Sequence, residues 1–401
     1  DEIAWLFNIR GADIDYNPVN ISFALVTPNK ATLFIAEEKI SDKVRNYLNK
    51  FDVNTEAYEN IYQALQTLSG DTIIAIDPNK CNYALKIAIP ENVTIKEISS
   101  PIANMKCIKN ETELSGVGRA MVKDGVALVK FWMWLEEKIE NKETVTELDV
   151  IENLHRFRAE QEGFITESFN TIAGYGEHGA IVHYAADKDS NATLKAESFL
   201  LLDSGGQYYD GTTDITRTVA LGKVTQEMKF DYTMVLKGHL ALGYQLFPYG
   251  TRGAQLDAIA RQFLWNSEMQ YGHGTGHGVG HCLNVHEGPQ SIRMNENPTI
   301  LEKGMILSNE PGIYRAGKHG IRIENLVVVS DYPNNENEFG KFMRFKTLTL
   351  FPYDNKSIEI GLLSPDELLQ INTYHQIVYK TLSPHLNTKE AAWLKSKTAQ
   401  L

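Results

Sequence analysis

The stretch Tyr271–Pro289, YGHGTGHGVGHCLNVHEGP, restricts this chain more than any other. His273, His277, His281 and His286 fall within it, out of 11 histidines in all, and glycines are interleaved with them. Glycine lets a backbone approach another group closely or take up positive φ. Imidazole binds metals and moves protons near neutral pH. Together they predict a tight loop presenting imidazoles to a reacting centre. A His-rich turn without a role is the competing reading, and acids elsewhere in the chain decide between the two.

Those acids are present. Leu201-Leu202-Asp203-Ser204-Gly205-Gly206 puts a carboxylate at the end of an apolar strand, and Asp214 follows in Asp210-Gly211-Thr212-Thr213-Asp214. The Gly-Gly and Asp-Gly pairs between them are turn signals, so residues 203 to 217 can fold back and bring both acids together. Glu310 repeats the pattern in Ser308-Asn309-Glu310-Pro311-Gly312. Glu324 alternates with Arg322 inside Gly320 to Val329, which places both on one face of a strand. Each acid alone reads as a solvated turn residue or an Arg-paired strand residue. Buried at strand ends, acids are costly unless paired or metal-bound.

Four carboxylates and an imidazole form a ligand set. Two divalent cations would neutralise it, and its oxygen-rich character favours Mn²⁺, with Co²⁺, Fe²⁺ or Zn²⁺ as competitors. Two ions ~3.5–4 Å apart can share a hydroxide and clamp a hydrolytic transition state. An imidazole off the metal can then stabilise an oxyanion or carry a proton.

Composition narrows the alternatives. A net charge of −12 argues against a nucleic-acid partner, which needs a basic face. No apolar run approaches the ~20 residues that cross a bilayer, so no membrane partner is expected. Cys81, Cys107 and Cys282 are scattered and odd in number, which fits a reducing, cytoplasmic setting.

At 401 residues two domains are expected. Residues 1–105 alternate short strands (21–26, 31–36, 72–76, 93–95) with short helices (41–49, 60–68, 83–87), a small α/β domain. The opening Asp-Glu-Ile-Ala-Trp reads as strand. Residues 106–401 begin with a long helix that Asn110 and Glu113 can cap, and a second from Thr146 to about Glu160. Strands follow at 165–172, 180–184, 198–203 and 208–217. The order then repeats: helices at 227–246 and 254–266, strands at 282–285, 305–310, 320–329 and 345–350. Two helix–helix–strands units predict a pseudo-symmetric α+β catalytic domain. Helix 365–382 and a short amphipathic piece carrying Trp393 form the tail.

The series Asp203, Asp214, His277, Glu310, Glu324 resembles the dinuclear ligand set of the pita-bread (creatinase/aminopeptidase) metallopeptidases, and the wording of Ala4 to Gly11, Leu202 to Gly205 and His273 to Val279 is similar to the eukaryotic-cytosolic aminopeptidase P (X-prolyl aminopeptidase) type. The resemblance runs through essentially the whole chain. It implies that Asp214 and Glu324 bridge two ions, Asp203 is bidentate, and His277 and Glu310 complete the set. Glu310 would also be the general base, with His183, His273 and His286 as catalytic histidines that do not ligate and Arg322 behind the carboxylates. His281 has no counterpart, and no role is assigned to it. The resemblance further implies an exopeptidase acting on peptides with proline in second position, and a homodimer through the catalytic domains with the tail around Trp393 near the contact. Three-domain members carry a further α/β domain ahead of the point where this chain starts. Prolidase action on X-Pro dipeptides, creatinase-like C–N hydrolysis and a non-catalytic pita-bread binding module stand as alternatives.

Overall fold

The apolar runs around Pro28-Asn29 close as a hairpin: Phe23–Thr27 pairs antiparallel with Lys30–Phe34, and Val53–Glu56 adds in parallel. This is the first of two units, Asp1–Lys106 and Cys107–Leu401, and the division falls one residue beyond the sequence-based boundary. The structure is a computed structural model describing residues 1–401, the side chains of 334–336 excepted. A parallel pair, Ile73–Ile76 with Thr94–Glu97, completes the strands described in the first unit. Helix Asp42–Asn49 is N-capped by Ser41 and helix Tyr83–Ala88 by Asn82. The opening segment is not a strand. It forms the helical turn Glu2–Leu6, which aligns Ile3 with Phe7 one turn on, both against Leu33, Ile35 and Leu48.

In the second unit, helix Glu111–Glu140 starts at the expected capping box: Asn110 accepts from the Glu113 N–H, and the Glu113 carboxylate accepts from the Asn110 N–H, each at 2.9 Å. Its buried stripe, Leu128, Phe131, Trp132 and Leu135, packs on Phe199, Leu200 and Leu202 of the strand that carries Asp203. Fully burying each such side chain stabilises the fold by about 1.5–3 kcal/mol. That strand, Phe199–Ser204, lies between Ile215–Ala220 and Ile172–Tyr175, both antiparallel to it. A second antiparallel sheet runs Leu246–Pro248, Gly340–Thr347, Asn325–Asn337, Ile306–Asn309. Helices Gln226–Gly243 and Gly253–Trp265 cross closely: a Cβ on Gly238 would stand 2.1 Å from the Ala260 carbonyl. Any side chain there would push the two helices apart.

Further strand expectations fail for physical reasons; residues 165–172, for one, split into Phe164–Glu167, which pairs with Gly206–Tyr208, and Ile172–Tyr175, which pairs with Phe199–Ser204. Residues 320–329 do not form one strand. His319–Arg322 pairs with Gly312–Arg315, Asn325–Asn337 pairs in the other sheet, and Ile323-Glu324 crosses between them. Residues 282–285 form no ladder. Cys282 has φ +50°, and the polar groups of Leu283 are met by side chains, its N–H by Thr212 Oγ1 and its carbonyl by Gln207 Nε2. Residues 180–184 follow a 3₁₀ turn, Gly176–Ala180, and run on irregularly.

The tail helices Pro365–Leu382 and Thr388–Lys397 pack on the long helix. Trp393 is half-buried between the long helix and Phe351. Its indole N–H donates to Glu136 at 2.6 Å and its ring lies against Phe351.

Candidate metal centre and catalytic cavity

Pairing within the central sheet sets Asp203 opposite Thr216. Beyond Ser204 the chain folds back through Gly206–Tyr208 and Gly211–Thr212, and Asp214 precedes the returning strand. The turn is tight enough that a Cβ on Gly205 would stand 2.0 Å from the Thr213 carbonyl. Both acids are buried. Asp203 Oδ2 accepts from Arg322 Nη2 at 2.6 Å and Nε at 3.2 Å, while its Oδ1 is buried with no hydrogen-bond partner. Glu324, where the chain crosses between sheets, is also buried. Its backbone N–H donates to the Thr216 carbonyl and its Oε2 accepts from Thr216 Oγ1 at 2.7 Å.

His277 enters from the short strand Gly276–His277. A Cβ on Gly276 would stand 2.0 Å from the Ser308 carbonyl, and one on Gly278 2.0 Å from the Glu287 carbonyl. These glycines therefore serve close approach, and neither has positive φ. His277 Nδ1 lies 3.0 Å from the Gly278 carbonyl, which can only accept, so Nδ1 carries the proton and Nε2 offers its lone pair. That Nε2 stands 3.5 Å from Asp214 Oδ2 and 3.4 Å from Glu310 Oε1. Ser308 ties the pair together: its Oγ accepts from the His277 N–H and donates to Glu310 Oε1, each at 2.9 Å.

Burial and the neighbouring carboxylates hold Asp214 and Glu324 well above the usual carboxylate range, and burial raises Glu310 as well. Of the four acids, Arg322 pairs directly with Asp203. A cluster so charged accepts cations readily. One ligand atom each from Asp214, His277 and Glu324 lie within 4.8 Å of one another. The orphaned Oδ1 of Asp203 and the free Nε2 of His277 complete a donor set suited to divalent ions.

The cavity in front of these residues has a volume of about 290 Å³. His183, His273 and His286 line it, with Phe169, Ile172 and Val182 as an apolar wall and Arg293 at the exposed side. His183 and His286 are exposed there, and the His286 ring stands edge-on to His277 at 4.3 Å. Desolvation by the surrounding cavity wall, and then the neighbouring His277 ring, push the His286 imidazole down to about 4.

His273 differs. Its Nδ1–H donates to the Gly274 carbonyl at 2.7 Å, so its Nε2 accepts from the Tyr314 hydroxyl at 2.8 Å, and that hydroxyl accepts from Arg322 Nη1 at 2.6 Å. Burial, and then the charge of Arg322, push its imidazole down to about 4. A neutral His273 locked at both nitrogens orients Tyr314 and Arg322. His281 lies outside the cavity lining, beside Gly116 of the long helix. Sequence reasoning missed Tyr314, Ser308 and Thr216. Only their positions beside named acids and glycines could have suggested them.

Comparison with known proteins adds a family. The pattern of metallopeptidase family M24 matches residues 116–331, that of the creatinase/prolidase N-terminal domain residues 1–113, and that of the C-terminal region of peptidase M24 residues 341–401. The whole chain is 41% identical to a probable Xaa-Pro aminopeptidase P of Sordaria macrospora, spanning 67% of its length. It is 42% identical to Xaa-Pro aminopeptidase 1 of Dictyostelium discoideum, spanning 65%. The crystal structure of X-prolyl aminopeptidase from Caenorhabditis elegans, described as a cytosolic enzyme with a di-nuclear active site, superposes with a TM-score of 0.92 at 35% identity over all of this chain and 67% of that one. The Xaa-Pro dipeptidase from Bacillus anthracis, at 24% identity and a TM-score of 0.70 over 88% of this chain and 91% of that one, shares the fold.

Proposed function

We infer that this chain, which belongs to metallopeptidase family M24, is a metal-dependent exopeptidase that releases the first residue of peptides whose second residue is proline. The observation that carries the reading is the convergence of Asp203, Asp214, His277, Glu310 and Glu324 on one cavity with exposed imidazoles at its rim. The names of the relatives supply the substrate class.

Asp203, Asp214, His277, Glu310 and Glu324 would hold two divalent ions. Bound there, the ions supply Lewis acidity, polarising the scissile carbonyl and making water acidic near neutral pH. The chain's own groups do the rest. Glu310, steadied by Ser308, takes the proton from the attacking water. Arg322 fixes Asp203, and Tyr314 with His273 fixes Arg322. Asp203 provides the negative charge that receives the free amine, which makes the enzyme an exopeptidase.

Proline after the scissile bond has no N–H, and its ring fixes φ near −65°, roughly. Recognition must use apolar shape and the following carbonyl. Phe169, Ile172 and Val182 supply the first, and His183 and His286 donate to the second.

Within the same reading the ions are Mn²⁺, since hard oxygen ligands dominate. A cytoplasmic location fits the odd, scattered set Cys81, Cys107 and Cys282; no described helix is long and apolar enough to cross a membrane. A homodimer through the catalytic domains, with the tail around Trp393 near the contact, belongs to the same reading, and sedimentation at micromolar concentration tests it. The activity test is a peptide panel. Arg-Pro-Pro should be cleaved, Arg-Pro and Arg-Ala-Pro poorly, and N-acetyl-Arg-Pro-Pro not at all. Efficient cleavage of the acetylated peptide refutes amine capture, and preference for the dipeptide refutes the assignment.

A further inference from the structure

His183 sits in a segment without a ladder. Between strands Ile172–Tyr175 and Phe199–Ser204 the chain is a 3₁₀ turn followed by irregular backbone. Such a segment gains no orientation from sheet pairing, so something else must fix it.

The group that does so is Glu147, the first residue of helix Glu147–Ala159, whose side chain is fully buried. A buried carboxylate is costly unless donors replace water around it. Here they do. Oε1 accepts from the Tyr175 N–H at 2.8 Å and lies 2.8 Å from His178 Nδ1. Oε2 accepts from the Tyr184 hydroxyl at 2.8 Å and the Ala192 N–H at 2.9 Å. The Glu147 N–H returns a bond to the Ala192 carbonyl at 3.0 Å.

The donors span the whole irregular stretch. Tyr184 directly follows His183, and its ring stacks on His178 at 4.5 Å. The other side of the segment rests on strand His319–Arg322. A Cβ on Gly320 would stand 1.7 Å from the Gly179 carbonyl, and Arg322 Nη2 reaches the Val182 carbonyl at 3.5 Å.

We propose that Glu147 is a positioning residue for the peptidase reaction: its carboxylate gathers residues 175–192 so that the exposed His183 meets the carbonyl of the substrate's second residue. This rests on the proposed function above. Helix Glu147–Ala159 is itself anchored by the Thr146–Asp149 capping box, so the carboxylate is presented from a rigid element. Gathering four donors at one buried carboxylate holds the segment while leaving the imidazole of His183 open to substrate.

The test is a double-mutant cycle on the Mn²⁺-loaded chain. Glu147→Gln, His183→Ala and the double variant are compared for kcat and KM on Arg-Pro-Pro, with metal content and Tm alongside. Glutamine keeps the shape but offers an NH₂ to donors that need an acceptor. Misplaced groups cost on the order of 10–100-fold, so Glu147→Gln should lower kcat by about that factor at unchanged metal content, and by less than about twofold where His183 is already Ala. An equal loss in both backgrounds overturns the proposal. Should Glu147→Gln fold poorly, Tyr184→Phe removes one donor and keeps the ring stack. It should show a smaller loss with the same dependence on His183, and an equal loss in both backgrounds overturns the proposal there too. Amide hydrogen exchange separates this inference from the peptidase reading. Glu147→Gln should speed exchange across residues 176–192 whether or not Arg-Pro-Pro is cleaved, and unchanged exchange overturns the proposal even in an active enzyme.

Discussion

Replacing Ser308 by alanine tests how the metal-facing side chains are held. Ser308 is fully buried and does not itself line the cavity, yet its hydroxyl joins the His277 backbone N–H to Glu310 Oε1. The substitution removes one oxygen and adds no bulk. It leaves a backbone N–H without its partner, a loss of about 1–3 kcal/mol, and takes from Glu310 a bond to a charged group worth roughly 1.5–3 kcal/mol. Part of the second loss is recovered by water in the cavity, so a destabilisation of about 2–4 kcal/mol follows. Glu310 and His277 should also lose their fixed separation, lowering kcat for Arg-Pro-Pro by roughly 10–100-fold. Urea denaturation of the metal-free chain gives the first quantity, and steady-state kinetics with saturating Mn²⁺ the second. Stability within ~0.5 kcal/mol of the parent together with kcat within twofold would refute the reasoning, since surface-like changes fall in that range.

Two further predictions follow. His183→Ala and His286→Ala should each lower turnover by about 10–100-fold, the scale for losing substrate orientation, while elemental analysis finds metal content retained. His277→Ala should lower both, and His281→Ala should change little; an essential His281 with a dispensable His277 would put the loop reading out of register. Separately, burial and the charge of Arg217 push the His375 imidazole down to about 4, and its Nε2 must stay unprotonated to accept the Tyr353 N–H at 3.1 Å. Between about pH 6.5 and pH 4 the unfolded chain binds a proton at this residue that the folded chain refuses, so stability is fully present above 6.5 and is lost as pH falls towards 4. Denaturant melts across that window should show the loss, and His375→Gln, which keeps an acceptor but cannot titrate, should flatten the slope by about one proton. An identical slope in the variant would refute the assignment.

Much of the centre was legible because its pattern is local. An apolar run, an acid and a Gly-rich turn occur in sequence at Asp203 and Glu310, and the structure brings both to one cavity. The capping box at Asn110 and Glu113 was legible for the same reason. What escaped depends on contacts between residues distant in sequence. Tyr314 matters because it bridges Arg322 and His273, and Ser308 because it bridges His277 and Glu310. The break at Ile323-Glu324 escaped because an apolar run does not reveal that its two halves pair in different sheets. Near His183 the expected strand gives way because the carboxylate of Glu147 claims donors on both sides of it. The glycines of Tyr271–Pro289 were read as serving either close approach or positive φ, and only coordinates could choose the first for Gly276 and Gly278.

The central claim is that Asp203, Asp214, His277, Glu310 and Glu324 hold two ions that together make the chain a peptidase. The direct measurement is a titration of metal-free protein with Mn²⁺, following bound metal and Arg-Pro-Pro hydrolysis in the same samples. The account predicts that activity rises with loading and levels off at two ions per chain, and that Glu324→Gln, removing one of the five ligands, binds fewer than two and loses turnover. A parent chain that is fully active with one ion, or a Glu324→Gln variant with two ions and undiminished turnover, would contradict it.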